Sequence, residues 1–157
     1  MDYIRKKIFE SEGKKYKLEQ LGPSSFKVKG LLCVWQDFNF QSSRNLLIEA
    51  SYFFNKEKRD IENVIVMCTG NKGNWSSALG NLKHILSQGF GLAIFDYNGL
   101  GLSEKAPLSY GYYEGKDLHI FIDILLARLH HKNVILWGRS MGTRTILSYY
   151  EEHVYQK

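Results

Sequence analysis

The chain has 157 residues, 44% hydrophobic and 24% charged, with a formal net charge of +5 and a pI near 9.1. That length supports one domain with a real core and excludes two, and the balance of residue types is that of an ordinary globular protein. The excess charge favours acidic partners or a membrane surface only mildly, and Lys and Arg are dispersed rather than patched, so a nucleic-acid partner has no support.

Residues 1–25 are basic and polar, with scattered Ile4, Ile8, Phe9, Tyr16 and Leu18, and close on Leu21-Gly-Pro-Ser-Ser25. They read as a loosely attached N-terminal arm; a weak peripheral membrane contact through Ile4 and Ile8, flanked by Arg5, Lys6 and Lys7, is the other reading. No apolar run is long enough for a signal peptide or a membrane span. Cys33 and Cys68 each sit in an apolar run, as small buried hydrophobes do, which fits a reducing, cytoplasmic setting.

The domain proper is expected over 26–157. Partial alternation from Phe26 to Val34 indicates a strand with a turn at Gly30, and Gln36 to Phe40 a further strand. Ser42–Asn45 is a turn, and Leu46–Phe54 returns as the partner of 36–40 in a hairpin. Lys56 to Glu62 is a charged loop.

Three short continuous apolar runs follow: 64–68, 92–95 and 134–137. Each lacks alternation, the sign of a strand buried on both faces of a parallel sheet. Between them lie helical patterns, first Trp75, Leu79, Leu82, Ile85 and Leu86 with Gly89 as the stop, then Leu118, Phe121, Ile122, Leu125 and Leu129. A last helix from about Thr143 carries Ile146, Leu147, Tyr150 and Val154. The order hairpin, β, α, β, α, β, α predicts an α/β fold with helices on both faces. The run 64–68 should lie between 92–95 and 134–137.

The chemistry concentrates at Gly138-Arg-Ser-Met-Gly142, directly after a strand and directly before a helix. Strand, G-x-S-x-G and helix in that order make a nucleophile elbow. The turn is so sharp that Ser140 is held strained at the strand tip, and side chains two positions either side of it would strike backbone. The turn Thr69-Gly-Asn-Lys-Gly73 lacks the spacing of a phosphate loop. His84, His119, His130, His131 and His153 show no metal spacing and read as surface residues. Nothing calls for a metal or a cofactor.

With these landmarks the chain resembles the α/β-hydrolase family over roughly 17–155, and within it serine hydrolases of the serine-aminopeptidase-like type. The resemblance rests on Cys68-Thr-Gly-Asn-Lys-Gly73, Asp96-Tyr-Asn-Gly-Leu-Gly-Leu-Ser103, Trp137-Gly-Arg-Ser-Met-Gly142 and the upstream hairpin, in that family's order. It implies an acyl substrate (a small-molecule ester or thioester, or a peptide amide) and Ser140 as the catalytic nucleophile. It also implies an oxyanion hole from the backbone N–H groups of Met141 and Asn71. Thr69 stands where the family carries His, which bears on the stiffness of that turn. Asp96, Gly99, Gly101 and Gly111 to Gly115 are expected to shape backbone rather than react.

In this fold the triad acid and histidine follow the nucleophile along the chain, and 17 residues follow Ser140. Three readings stay open: the N-terminal part of a longer serine hydrolase, the sheet being cut after the elbow helix; a short paralogue that binds without catalysis; or an enzyme completed by another chain. In a complete fold a further strand covers 133–138; in these 157 residues nothing downstream is expected to pair with it, so its edge should be open.

Overall fold

The computed structural model describes residues 23–28, 30–58 and 62–155, apart from the side chain of Trp75. The arm therefore lies almost wholly outside the described residues, as does Arg59–Ile61 of the charged loop. The elements are β1 (Ser25–Val28), β2 (Leu31–Gln41), β3 (Leu47–Asn55), β4 (Asn63–Cys68), α1 (Leu79–Ser87), β5 (Gly91–Phe95), α2 (Tyr112–Arg128), β6 (Asn133–Gly138) and α3 (Met141–Tyr150). A 3-10 turn, Trp75–Ala78, leads into α1, and a π turn, Glu151–Tyr155, ends α3.

The strands form one six-stranded sheet in the order β1-β2-β3-β5-β4-β6. β4 lies between β5 and β6 and is parallel to both, as expected, with Val64 opposite Gly91 on one side and Val134 on the other. The other pairings are antiparallel, so the sheet is mixed. β2 runs unbroken through Trp35, where the sequence reading separated two strands; only the turn at Gly30 (φ +92°) interrupts the chain. Trp35 keeps a place in the ladder because its N–H donates to the Ser24 carbonyl at 2.9 Å on one side and Phe53 pairs with it on the other.

Helices cover both faces. Leu82, Ile85 and Leu86 of α1 pack on Cys33, Trp35, Phe53, Met67, Leu92 and Ile94. On the opposite face Leu118, Phe121, Ile122 and Leu125 of α2 meet Phe40, Ile48, Ala50, Val64, Val66 and Phe95. Both cysteines are buried and free, and burial pushes the Cys33 thiol up to about 11 and that of Cys68 to about 12.

The strand before the elbow departs from the expectation that 134–137 is buried. Val134 and Leu136 pack against the α2 side of the core, but Ile135 is 44% and Trp137 39% exposed. The reason is lateral. β6 is the last strand of the sheet, and α1 lies over β2, β3 and β5 instead, so no described element covers the far face of β6. The open edge expected for 133–138 is therefore present among the described residues. α3 begins at Met141 rather than near Thr143, and it buries Met141, Gly142 and Thr145 while Leu147 and Tyr150, and Val154 in the π turn that follows, face outward.

Candidate active site

β4, β5 and β6 are parallel, so the turns after β4 and β6 emerge side by side at one end of the sheet. Ser140 follows β6 with φ +55° and ψ −121°, a conformation L side chains rarely adopt. It is exposed, at the threshold of α3. The two flanking glycines are dictated by space. A Cβ on Gly142 would lie 2.0 Å from the Cys68 carbonyl oxygen, and one on Gly138 would lie 2.8 Å from the Gly142 carbonyl carbon and oxygen. The Arg139 N–H donates to the Cys68 carbonyl at 3.0 Å, fastening the elbow to the end of β4.

The strain at Ser140 has a measurable consequence. Ser140→Gly should be more stable than Ser140→Ala by about 1 kcal/mol, because relief of the positive φ, about 1–3 kcal/mol, exceeds the entropy cost of glycine. Urea denaturation of the two variants measures this; a glycine variant weaker than the alanine one would show the backbone there to be relaxed.

Directly beside Ser140 runs the turn after β4. A Cβ added to Gly70 would sit 3.4 Å from Ser140 Cβ and 3.7 Å from its Oγ, so the bare Cα of Gly70 borders the hydroxyl. The turn is closed by the Gly73 N–H donating to the Gly70 carbonyl at 2.9 Å. Asn71 comes next, its side-chain amide donating to the Tyr110 hydroxyl at 3.4 Å. Met141 opens α3, and a helix cannot satisfy its first N–H groups internally. Those of Gly142 and Thr143 donate to the Arg139 and Ser140 carbonyls, each at 2.9 Å. The structure thus sets Ser140, with Met141 after it, beside Gly70, the residue that precedes Asn71, from two turns 70 residues apart. Thr69 is buried and packs on Gly73, and its Oγ1 finds no hydrogen-bond partner among the described residues.

Asp96 shapes a loop. Its carboxylate accepts from the Leu102 N–H at 3.2 Å and lies where a Cβ on Gly101 (φ +52°) would fall. Burial, with Asp37 and Asp96 adding repulsion, holds the nearby Glu49 carboxyl above its usual range.

The histidines lie elsewhere. His131 is only 5% exposed and packs edge-on against the Tyr52 ring, which corrects its reading as a surface residue. His119 and His153 stack on each other with ring centroids 4.0 Å apart, and both are partly buried. Spacing along helices could not reveal these contacts, since each partner comes from another element. Among the described residues no group of three or more His, Cys, Asp or Glu is placed to hold a metal ion. A cleft of about 390 Å³, lined by Phe38, Ile124, Arg128 and Leu129, opens at the far end of α2 and takes no part in the site.

Tyr110 was not singled out by the sequence. It touches Asn71 across 39 residues of chain and holds a φ of +55°; its one local signal is the glycine that follows it.

A family model described as the alpha/beta hydrolase fold matches residues 63–157. A Bacillus subtilis (strain 168) protein named "Uncharacterized protein YqkD" is 28% identical in an alignment of 126 residues that covers 76% of this chain and 41% of that protein. Among solved structures, the Pyrococcus furiosus esterase Pf2001 matches with a TM-score of 0.67 at 16% identity, over 90% of this chain and 51% of that one. The epoxide hydrolase VrEH1 from Vigna radiata matches at 0.58 and 16%, over 75% and 36%. At such identities these likenesses concern the fold. The chain spans about half the length of the relatives it matches, or less.

Proposed function

Because the chain belongs to the alpha/beta hydrolase fold family, we propose that it is a serine hydrolase of the serine-aminopeptidase-like type, acting on an acyl substrate through Ser140. The observation that carries this is the approach of Gly70 to Ser140, with the Asn71 and Met141 N–H groups following on the two adjoining turns. Ser140 Oγ attacks the carbonyl carbon of an ester, thioester or peptide amide and passes its proton to a base. The negative charge moves to the carbonyl oxygen, where the Met141 and Asn71 N–H groups receive it; one such donor is worth about 3–4 kcal/mol. The leaving group departs with a proton, and water then releases the acid from Ser140.

The base and the acid that orients it have no candidates around Ser140 among the described residues. His131 packs on Tyr52, and His119 stacks with His153. In this reading they come from sequence following residue 157 or from a second chain, and strands placed there would cover the open edge of β6. A free, buried pair of thiols supports a cytoplasmic setting. No helix of the described residues is long and apolar enough to cross a membrane.

The engaged histidines favour one second reading, a family member that binds an acyl-like ligand or a partner without turnover. The test is the rate of fluorophosphonate labelling beside p-nitrophenyl acetate turnover, for the chain, for Ser140→Ala, and for a chain extended beyond Lys157. We expect slow, Ser140-dependent labelling that accelerates by orders of magnitude in the extended chain, since a triad acts as a unit and the hole and binding alone retain about 10³–10⁴ over water. Fast labelling by the 157-residue chain would mean that another copy supplies the base. An extended chain that labels no faster favours the binding reading.

A further inference from the structure

We propose that Tyr110 is a positioning residue that ties the Asn71 turn to the elbow helix and so presets the N–H of Asn71 beside Ser140. Its backbone is in a left-handed conformation, φ +55°, costly for a side chain of its size. Such strain persists only where surrounding groups over-determine it, and here they are visible. The Glu114 carboxylate is 1% exposed and grips both neighbours of Tyr110. One oxygen accepts from the Ser109 N–H at 2.8 Å; the other accepts from the Ser109 hydroxyl and, at 2.8 Å, from the Gly111 N–H. Ser109 Oγ in turn accepts from the Tyr113 N–H at 2.7 Å.

The corner so held rests on α3. Gly111 has φ +113°, and a Cβ there would meet Arg144 Cγ at 2.6 Å and the Arg144 carbonyl oxygen at 3.1 Å. From this seat on the helix that begins at Met141, the Tyr110 ring packs against the α2 side of the core and its hydroxyl accepts from Asn71 Nδ2. Tyr110 therefore links the turn that holds Asn71 to a corner whose next residue, Gly111, sits on Arg144 of the helix that begins at Met141. The bridge matters because the turn's own brace is weak: Thr69, at its start, has a buried hydroxyl with no hydrogen-bond partner among the described residues. The effect on Ser140 chemistry rests on the serine hydrolase reading; the coupling of Tyr110 to Asn71 does not.

The test uses the full chain and two substitutions. Tyr110→Phe keeps ring and backbone and deletes the hydroxyl; Asn71→Ala deletes the side chain and keeps the backbone N–H. In ¹⁵N spectra Tyr110→Phe should shift the Asn71 side-chain amide and the amides of Gly70–Gly73, leave those of β5 in place, and hardly alter the melting temperature. Each substitution should slow fluorophosphonate labelling of Ser140 about fivefold, the weight of one neutral hydrogen bond. The double variant should be no slower than either single one, since both act through one contact. Unmoved Asn71 and Gly70–Gly73 resonances in Tyr110→Phe would overturn the proposal, and so would effects on labelling that multiply. If Ser140 is labelled in no variant, the serine hydrolase reading is at fault, and the spectra still decide whether Tyr110 positions Asn71.

Discussion

Gly142→Ala should cost the chain most of its stability, about 4 kcal/mol or more, where a domain of this size has a total of about 5–15. The new methyl carbon would lie 2.0 Å from the Cys68 carbonyl oxygen, 2.4 Å from its carbon and 2.8 Å from the Thr69 carbonyl oxygen. Those are backbone atoms at the end of β4, which is hydrogen-bonded to β5 on one side and β6 on the other. They cannot yield as a side chain would. α3 must move out instead, and that movement pulls on the Arg139 N–H bond to Cys68 and on the packing of Met141 and Thr145. Gly138→Ala should be milder, because one of its three close contacts is the flexible end of Ile146. Gly80→Ala is the control. Nothing lies within 4 Å of its added carbon, and α1 should gain up to about 1 kcal/mol. Urea midpoints of the three variants measure the series; a Gly142→Ala midpoint equal to the parent's would mean that the elbow is not packed this way.

Glu114→Ala should be nearly as damaging, at about 4 kcal/mol. The side chain is buried, and its loss strands the N–H groups of Ser109 and Gly111 together with the Ser109 hydroxyl. Glu114→Gln should recover less than half of that loss. Each carboxylate oxygen serves a backbone N–H, so whichever way the amide turns, its NH₂ group faces one donor with another. The same melts decide it, and a glutamine variant as stable as the parent would refute the three-donor arrangement. Asp117 is the counterpart one turn along α2. It accepts from the Ser43 N–H and hydroxyl, both at 2.7 Å, tying the hairpin turn to the helix, and burial still holds its carboxyl above the usual range.

Much of the fold was legible because it is written in local pattern. The runs 64–68 and 92–95 are apolar on both faces, and β4 and β5 each have another strand on both sides. The stripe Leu118, Phe121, Ile122 and Leu125 has helical spacing, and those four residues are buried in α2. Gly138 and Gly142 were expected to be crowded by backbone, and both are. The family resemblance, not local pattern, placed the turn 69–73 near Ser140, and Gly70 does border it, as turns after neighbouring parallel strands emerge together.

Other features depend on what lies across the sheet. The run 134–137 is as apolar as its two companions, yet whether Ile135 and Trp137 are covered depends on which strands α1 crosses, and it crosses β2, β3 and β5. His131 follows α2 in a polar stretch, and the Tyr52 ring that buries it comes from β3. Tyr110 carries no motif; its strained backbone and its reach to Asn71 exist because Glu114, one turn into α2, holds both of its neighbours. Periodicity and a five-residue motif determine strands, helices and the sharp turn at Ser140, because sterics and apolar burial act over a few residues. Exposure of an edge, burial of a histidine and the bridge at Tyr110 are decided only when distant segments meet, because each is a property of the contact and of neither segment alone.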